Sequence, residues 1–120
     1  MAFIADVVFD SGLSELDTSG IRLDITSQEA TTYTSATNTH TLGNSTVNTG
    51  SPVAGAVDGR RAIVPAITSG TVTGTGTASH WALSNNVDTL LATGALSATQ
   101  AVTNGNTFSL DAISITIRDA

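Results

Sequence analysis

The chain reads as all-β: a single-domain antiparallel β-sandwich, jelly-roll-like, with at most one short N-terminal helix. Three observations carry that expectation. Apolar and polar residues alternate with a period of two through the last forty residues, most evenly in Ile113-Ser-Ile-Thr-Ile117, as half-buried strands require. The runs are broken by Asn85-Asn86 and Asn104-Gly105, dipeptides that suit tight hairpin turns. Of the 120 residues, 34 are Ser or Thr and 21 of those are Thr, whose branched side chain fits a pleated surface and loses rotamer freedom in a helix. A disordered polar chain would share that richness, but the 40% hydrophobic content and regular Ile, Leu and Val spacing argue for a packed core.

Residues 1–20 are expected to supply an N-terminal arm and a short helix. Residues 2–9 suit an extended arm or a first strand. Asp10–Asp17 holds one or two helical turns, with Asp10 as cap, a stripe of Phe9, Leu13 and Leu16, and Gly20 as the stop. Ile21-Arg-Leu-Asp-Ile25 alternates cleanly, so Ile21, Leu23 and Ile25 are assigned to the core. Residues 27–57 are small, polar and turn-rich, and read as a long loop region with at most a short strand near His40-Thr-Leu42. Such a stretch is the first place to expect adaptable partner contacts.

Beyond the Asp58-Gly59 turn, Arg60–Ile67 reads as a strand that Pro65 confines to an edge or a bulge. Ser69-Gly70 reads as a turn and Thr71–Thr77 as a flat strand. Trp81, Leu83, Phe108, Leu110, Ile113, Ile115 and Ile117 fall on inward registers and complete the expected core. Seven or eight short strands at intervals of about ten residues match a sandwich or jelly roll, and no repeat suggests a solenoid.

The charge narrows the partners. Four arginines against ten acids give a net charge of −6, which disfavours nucleic acid and anionic membranes. Cysteine is absent, so disulfides and thiol chemistry are excluded. The start, Met1 to Asp6, has no basic stretch ahead of an apolar core, and no run reaches membrane-spanning length. No export signal and no membrane segment are expected.

Catalytic signals are weak throughout. Gly74-Thr-Gly76 lacks the following helix that a dinucleotide fingerprint needs, and strand glycines explain it. His40 and His80 have no His or Cys at metal-ligand spacing, and read as surface or hydrogen-bonded structural histidines. Gly12-Leu-Ser-Glu15 is no nucleophile elbow, no carboxylate pair stands out, and Asp24, Asp58, Asp88 and Asp111 lack calcium-loop spacing. Trp81 and Phe108 are core rather than an exposed sugar platform. No catalytic residue, cofactor or metal is expected. Arg60-Arg61 is the one concentrated positive charge. Two solvated arginines explain it, or one of them forms a bidentate link to a partner's carboxylate.

The segments Thr77-Ala-Ser-His-Trp-Ala-Leu83, Leu90-Leu-Ala-Thr-Gly-Ala-Leu96, Val102-Thr-Asn-Gly-Asn-Thr-Phe108 and Ile113-Ser-Ile-Thr-Ile117 resemble small β-structured virion proteins of tailed bacteriophages. Those proteins are capsid decoration (cement) proteins or minor tail and fibre components. The N-terminal third is similar more loosely, through Leu16-Asp-Thr and Thr31-Thr-Tyr-Thr. These are fold-forming motifs, and they bring no catalytic or ligand residue with them.

The resemblance implies a non-enzymatic virion structural protein, made in the host bacterial cytoplasm. The foremost expectation is a decoration protein on the outer surface of a phage head, stabilising the capsomer lattice. Its partners would be the major capsid protein, copies of itself, or both. A tail or fibre component is the alternative, and a carbohydrate-binding β-sandwich module comes third. Phe3, Ile4, Tyr33, His40, Arg60 and Arg61 are the residues expected at a protein interface.

Overall fold

The computed structural model describes residues 6–50, 53–54 and 60–117. It is an all-β fold of nine strands among those residues, arranged as two antiparallel sheets and joined by one helix of 14 residues, α1 (Asp6–Ser19). The strands are β1 (Arg22–Thr26), β2 (Thr41–Thr46), β3 (Val53–Ala54), β4 (Arg60–Val64), β5 (Ile67–Val72), β6 (Gly76–Ser84), β7 (Leu90–Val102), β8 (Thr107–Leu110) and β9 (Ile113–Ile117). Six of them form one sheet in the order β7-β6-β1-β2-β5-β8, and three form a second in the order β3-β4-β9.

The helix is longer than the Asp10–Asp17 window. Asp6 to Phe9 are helical rather than an arm or strand, since a formed turn extends to its neighbours at one hydrogen bond per added residue. Leu13 and Leu16 of the predicted stripe are buried. Gly20 stops the helix as expected: its N–H donates to Leu16 O at 2.8 Å. A Cβ on Gly20 would fall 2.5 Å from that carbonyl and 2.9 Å from Leu83 Cδ2, so helix and sheet meet here at backbone distance.

The inner face of the six-stranded sheet carries the core. Leu23 and Ile25 of β1 stand opposite Leu83 and Trp81 of β6, and all four are buried with Val72 and Phe108. The same cluster takes in Leu13 and Leu16 of α1 and Ala62 and Val64 of β4, so helix and small sheet cover this face. Ile113 and Ile115 pack against it while half-buried, as does Leu110. Ile117 pairs through its backbone with Arg60, and its side chain lies outside the described part of the chain.

Ile21 does not join the core: it is 40% exposed. The strand begins one residue later, and Ile21 makes the helix-to-strand corner, its N–H on Ser84 O and its carbonyl accepting from Val47 N–H. The corner turns the side chain off the register that Leu23 and Ile25 set.

Within the expected loop region 27–57, the described residues 27–50 and 53–54 are more ordered than their composition suggests. A single wide helical turn, Ser35–Thr39, is capped by His40 and leads into β2, an interior strand hydrogen-bonded to β1 and β5. Ala30 and Ala36 from this stretch pack against Ala82 and Leu90, covering the outer face of the large sheet. Small side chains hid the strand from the hydrophobic pattern, because Thr, Gly, Asn and Ser fill most of β2.

Two further boundaries move. Pro65-Ala66 separates β4 in the small sheet from β5 in the large one, where a missing donor does no harm. Ser69-Gly70 lies inside β5 rather than in a turn. A Cβ on Gly70 would come within 2.3 Å of the Phe108 ring, so this glycine serves aromatic packing. The chain turns instead between Val72 and Gly76. The Asn104-Gly105 turn stands as expected, with Gly105 at φ +92° in the region open mainly to glycine.

Candidate functional site

The six-stranded sheet curls until its two edge strands face each other. β7 and β8 occupy opposite ends of the strand order, yet Gln100 Nε2 on β7 reaches Ser109 O on β8 at 3.5 Å. The curled sheet leaves a gap between these two strands, and a groove of about 680 Å³ lies along it.

Local irregularities in both strands shape it. Along β7, Gln100 pairs with Ala78 and Ala95 pairs with His80. Four residues, Leu96-Ser-Ala-Thr99, therefore stand opposite Ser79 alone and arch out of the ladder, more than the one extra residue of an ordinary bulge. Along β5 and β8, Ile67 pairs with Leu110 and Gly70 with Phe108, leaving Thr68 and Ser69 against Ser109. Leu96, Ser97 and Ala98 of the arch line one side of the groove; Ser109 and Leu110 line the other, with Ile113 beyond the Asp111-Ala112 corner.

Trp81 forms part of the lining, although its ring is largely covered. Gly94, its cross-strand partner, explains the cover: a Cβ there would sit 2.6 Å from Trp81 Cζ2. The indole thus lies against backbone and presents little open face. Leu96, Leu110 and Ile113 remain half-buried, so the apolar wall is incomplete on the groove side. Asp111 is the one charged residue in the described lining. Half the peptide groups of each edge strand point away from its single neighbour, and β7 and β8 turn those groups toward the gap.

The residues expected at an interface do not converge on this groove. Tyr33 and His40 lie in the segment over the outer face of the large sheet, where His40 Nε2 is 3.1 Å from Gln28 Nε2. Arg60 and Arg61 lie on β4 of the small sheet, toward the opposite, inner face. Arg61 Nε is buried with no hydrogen-bond partner. Phe3 and Ile4 lie outside the described residues. The groove residues Leu96, Ala98, Gln100 and Ser109 carry no site signal in the sequence, and Asp111, weighed there as a calcium ligand, lies at the corner between β8 and β9. The available signal was the broken alternation across Gly94-Ala-Leu-Ser-Ala98.

The buried polar cluster elsewhere is structural. Asp24 is fully buried on the outer face of β1 and accepts from Arg22 Nε at 2.8 Å, Arg22 Nη2 at 3.1 Å and Thr41 Oγ1 at 2.7 Å. The Thr41 bond ties β1 to the start of β2, while the two Arg22 bonds lie within β1. Burial pushes the Asp24 pKa above its ordinary value, against the pull of its hydrogen bonds to Arg22 and Thr41. Among the described residues no group of three or more His, Cys, Asp or Glu is placed to hold a metal ion. No helix among them is long and apolar enough to cross a membrane.

Comparison with protein-family models, curated proteins and solved structures finds no match for this chain.

Proposed function

We propose that the chain is a non-enzymatic structural protein of a bacteriophage virion, a decoration protein that binds the outer surface of the head and holds neighbouring capsomers together. The observation that carries the reading is the open gap between β7 and β8, where two strand edges and a half-covered apolar wall face outward together. A monomer with nothing to bind gains from closing such a gap, since unpaired edges invite association. A surface component repeated over a lattice has a use for it, because many weak contacts to a symmetric array sum to firm attachment. The resemblance of the segments between Thr71 and Ile117 to phage virion proteins supports the same assignment.

The carbohydrate-binding alternative is weakened by Trp81. A sugar platform needs an open aromatic face, and Gly94 lies against this one.

The test is the particle. The protein should purify with heads at a copy number comparable to that of the major capsid protein and should raise the temperature at which heads release their contents. Recovery with isolated tails alone would move the protein to the tail, and absence from particles would end the virion reading.

A further inference from the structure

Resting on the assembly reading above, we infer that the gap between β7 and β8 is an acceptor slot for one extended segment of a different protein, neutral or basic in charge, which adds as a strand between the two edges.

The backbone states the mode of binding. β7 and β8 each have one hydrogen-bonded neighbour in the sheet; the Thr103–Asn106 turn joins them at one end, and the Gln100 side chain reaches Ser109 O across the opening. A polypeptide strand is the ligand that satisfies rows of peptide N–H and C=O groups on both sides at once. The arch Leu96–Thr99 has left the β6 ladder, so its own peptide groups are not taken up by that neighbour.

The side chains state the occupant's chemistry. Leu96, Leu110 and Ile113 leave apolar surface half-covered inside the groove, which calls for alternate apolar side chains pointing inward. Asp111 at the corner is the one charge in the described lining, and the chain carries −6 overall. A second copy of so acidic a chain meets repulsion there, whereas a segment with a lysine or arginine meets attraction. The occupant is therefore a partner's strand of about five residues, the commonest strand length, with alternating apolar positions and a cation near Asp111.

The protein holds its own probe, because Trp81 is its only tryptophan and it lines the groove. The intact chain is titrated with acetyl-Thr-Val-Lys-Val-Thr-Val-amide, and Trp81 emission and backbone amide shifts are followed to millimolar peptide. Saturable emission change is expected, with the largest amide shifts at 95–99 and 109–111. The same peptide N-methylated on alternate residues should lose binding, and the Glu-for-Lys peptide should bind about two- to fivefold more weakly, as one exposed ion pair allows. Asp111→Asn should erase that preference. Ala98→Arg, at an exposed position in the arch, should block the slot while leaving the circular dichroism and melting temperature unchanged.

Silence at millimolar peptide, equal binding of the N-methylated form, or shifts confined to another surface would overturn the slot, even if the protein is found on heads. Peptide binding by a protein absent from particles would leave the slot standing and remove the assembly reading instead.

Discussion

The indole of Trp81 rests on the backbone of Gly94, its direct partner across the β6–β7 ladder. An aromatic ring over a cross-strand glycine shields peptide groups that would otherwise face the groove, and the glycine leaves room for the ring. The arch that opens the β7 edge begins two residues farther on, at Leu96. Packing of the core and shape of the groove are therefore set by the same pair.

Gly94→Ala should destabilise the fold by about 1–3 kcal/mol, the usual cost of an added methyl in a filled site. A Cβ there would fall 2.6 Å from Cζ2 and 2.7 Å from Nε1 of Trp81, so the ring must move. Urea denaturation followed by Trp81 emission measures both consequences, a lower midpoint and a shifted native spectrum. An unchanged midpoint would mean that the ring is free to slide into the groove.

Gly70 and Phe108 repeat the relationship at the other edge, with Phe108 also 3.2 Å from the Cβ position of Gly43. Gly70→Ala should cost a similar amount. The double variant Gly70→Ala with Phe108→Leu should be more stable than the sum of the two single losses, because the smaller side chain frees the space. Strict additivity in that cycle would contradict the contact.

These glycines also show how far the sequence could be read. Alternation identified β9, the His80–Ser84 part of β6 and the breaks at Asn85-Asn86 and Asn104-Gly105, because in those segments side-chain size and burial coincide. The expected strand Thr71–Thr77 is divided between β5, a turn and β6, and Asp58-Gly59 lies outside the described residues. Alternation failed wherever a position was chosen for what lies across from it. Ser69-Gly70 looks like a turn in one dimension and is a strand under a phenyl ring in three. Central strand β2 went largely unseen because its small residues lie beneath Phe108 and beside Asp24. The groove was illegible for a further reason: β7 and β8 follow one another through the Thr103–Asn106 turn and read as an ordinary hairpin, yet each pairs with a different strand and leaves a gap between them. Of its residues, Trp81, Leu110 and Ile113 were recognised, and as core.

Asp24 gives the chain a specific pH response. Burial raises its pKa above the ordinary aspartate value, and Arg22 is raised chiefly by the hydrogen bond it donates to Asp24. An acid that holds its proton more tightly when folded favours the folded state below its unfolded pKa, and that contribution is lost as pH rises through the folded value. In Asp24→Asn this dependence disappears while the other acids are unchanged. The stability of the variant relative to the parent should therefore climb across that window and level off above it. Parallel urea titrations at closely spaced pH values check this, and identical slopes for both proteins would refute it.

The closing strand offers the sharpest contrast between neighbours. Ile115 packs half-buried against the core opposite Ala62, whereas Thr116 is exposed and stands directly opposite Arg61. Ile115→Asp should cost about 2–4 kcal/mol, since it removes apolar contact and places a charge where water is scarce. Thr116→Asp should instead be neutral or stabilising by up to about 1 kcal/mol, because it sets a carboxylate across the ladder from an arginine whose Nε lacks a hydrogen-bond partner. The gain should shrink in high salt and vanish when Arg61 is replaced by Met. Equal damage from the Ile115 and Thr116 substitutions would show that this strand is covered on both faces.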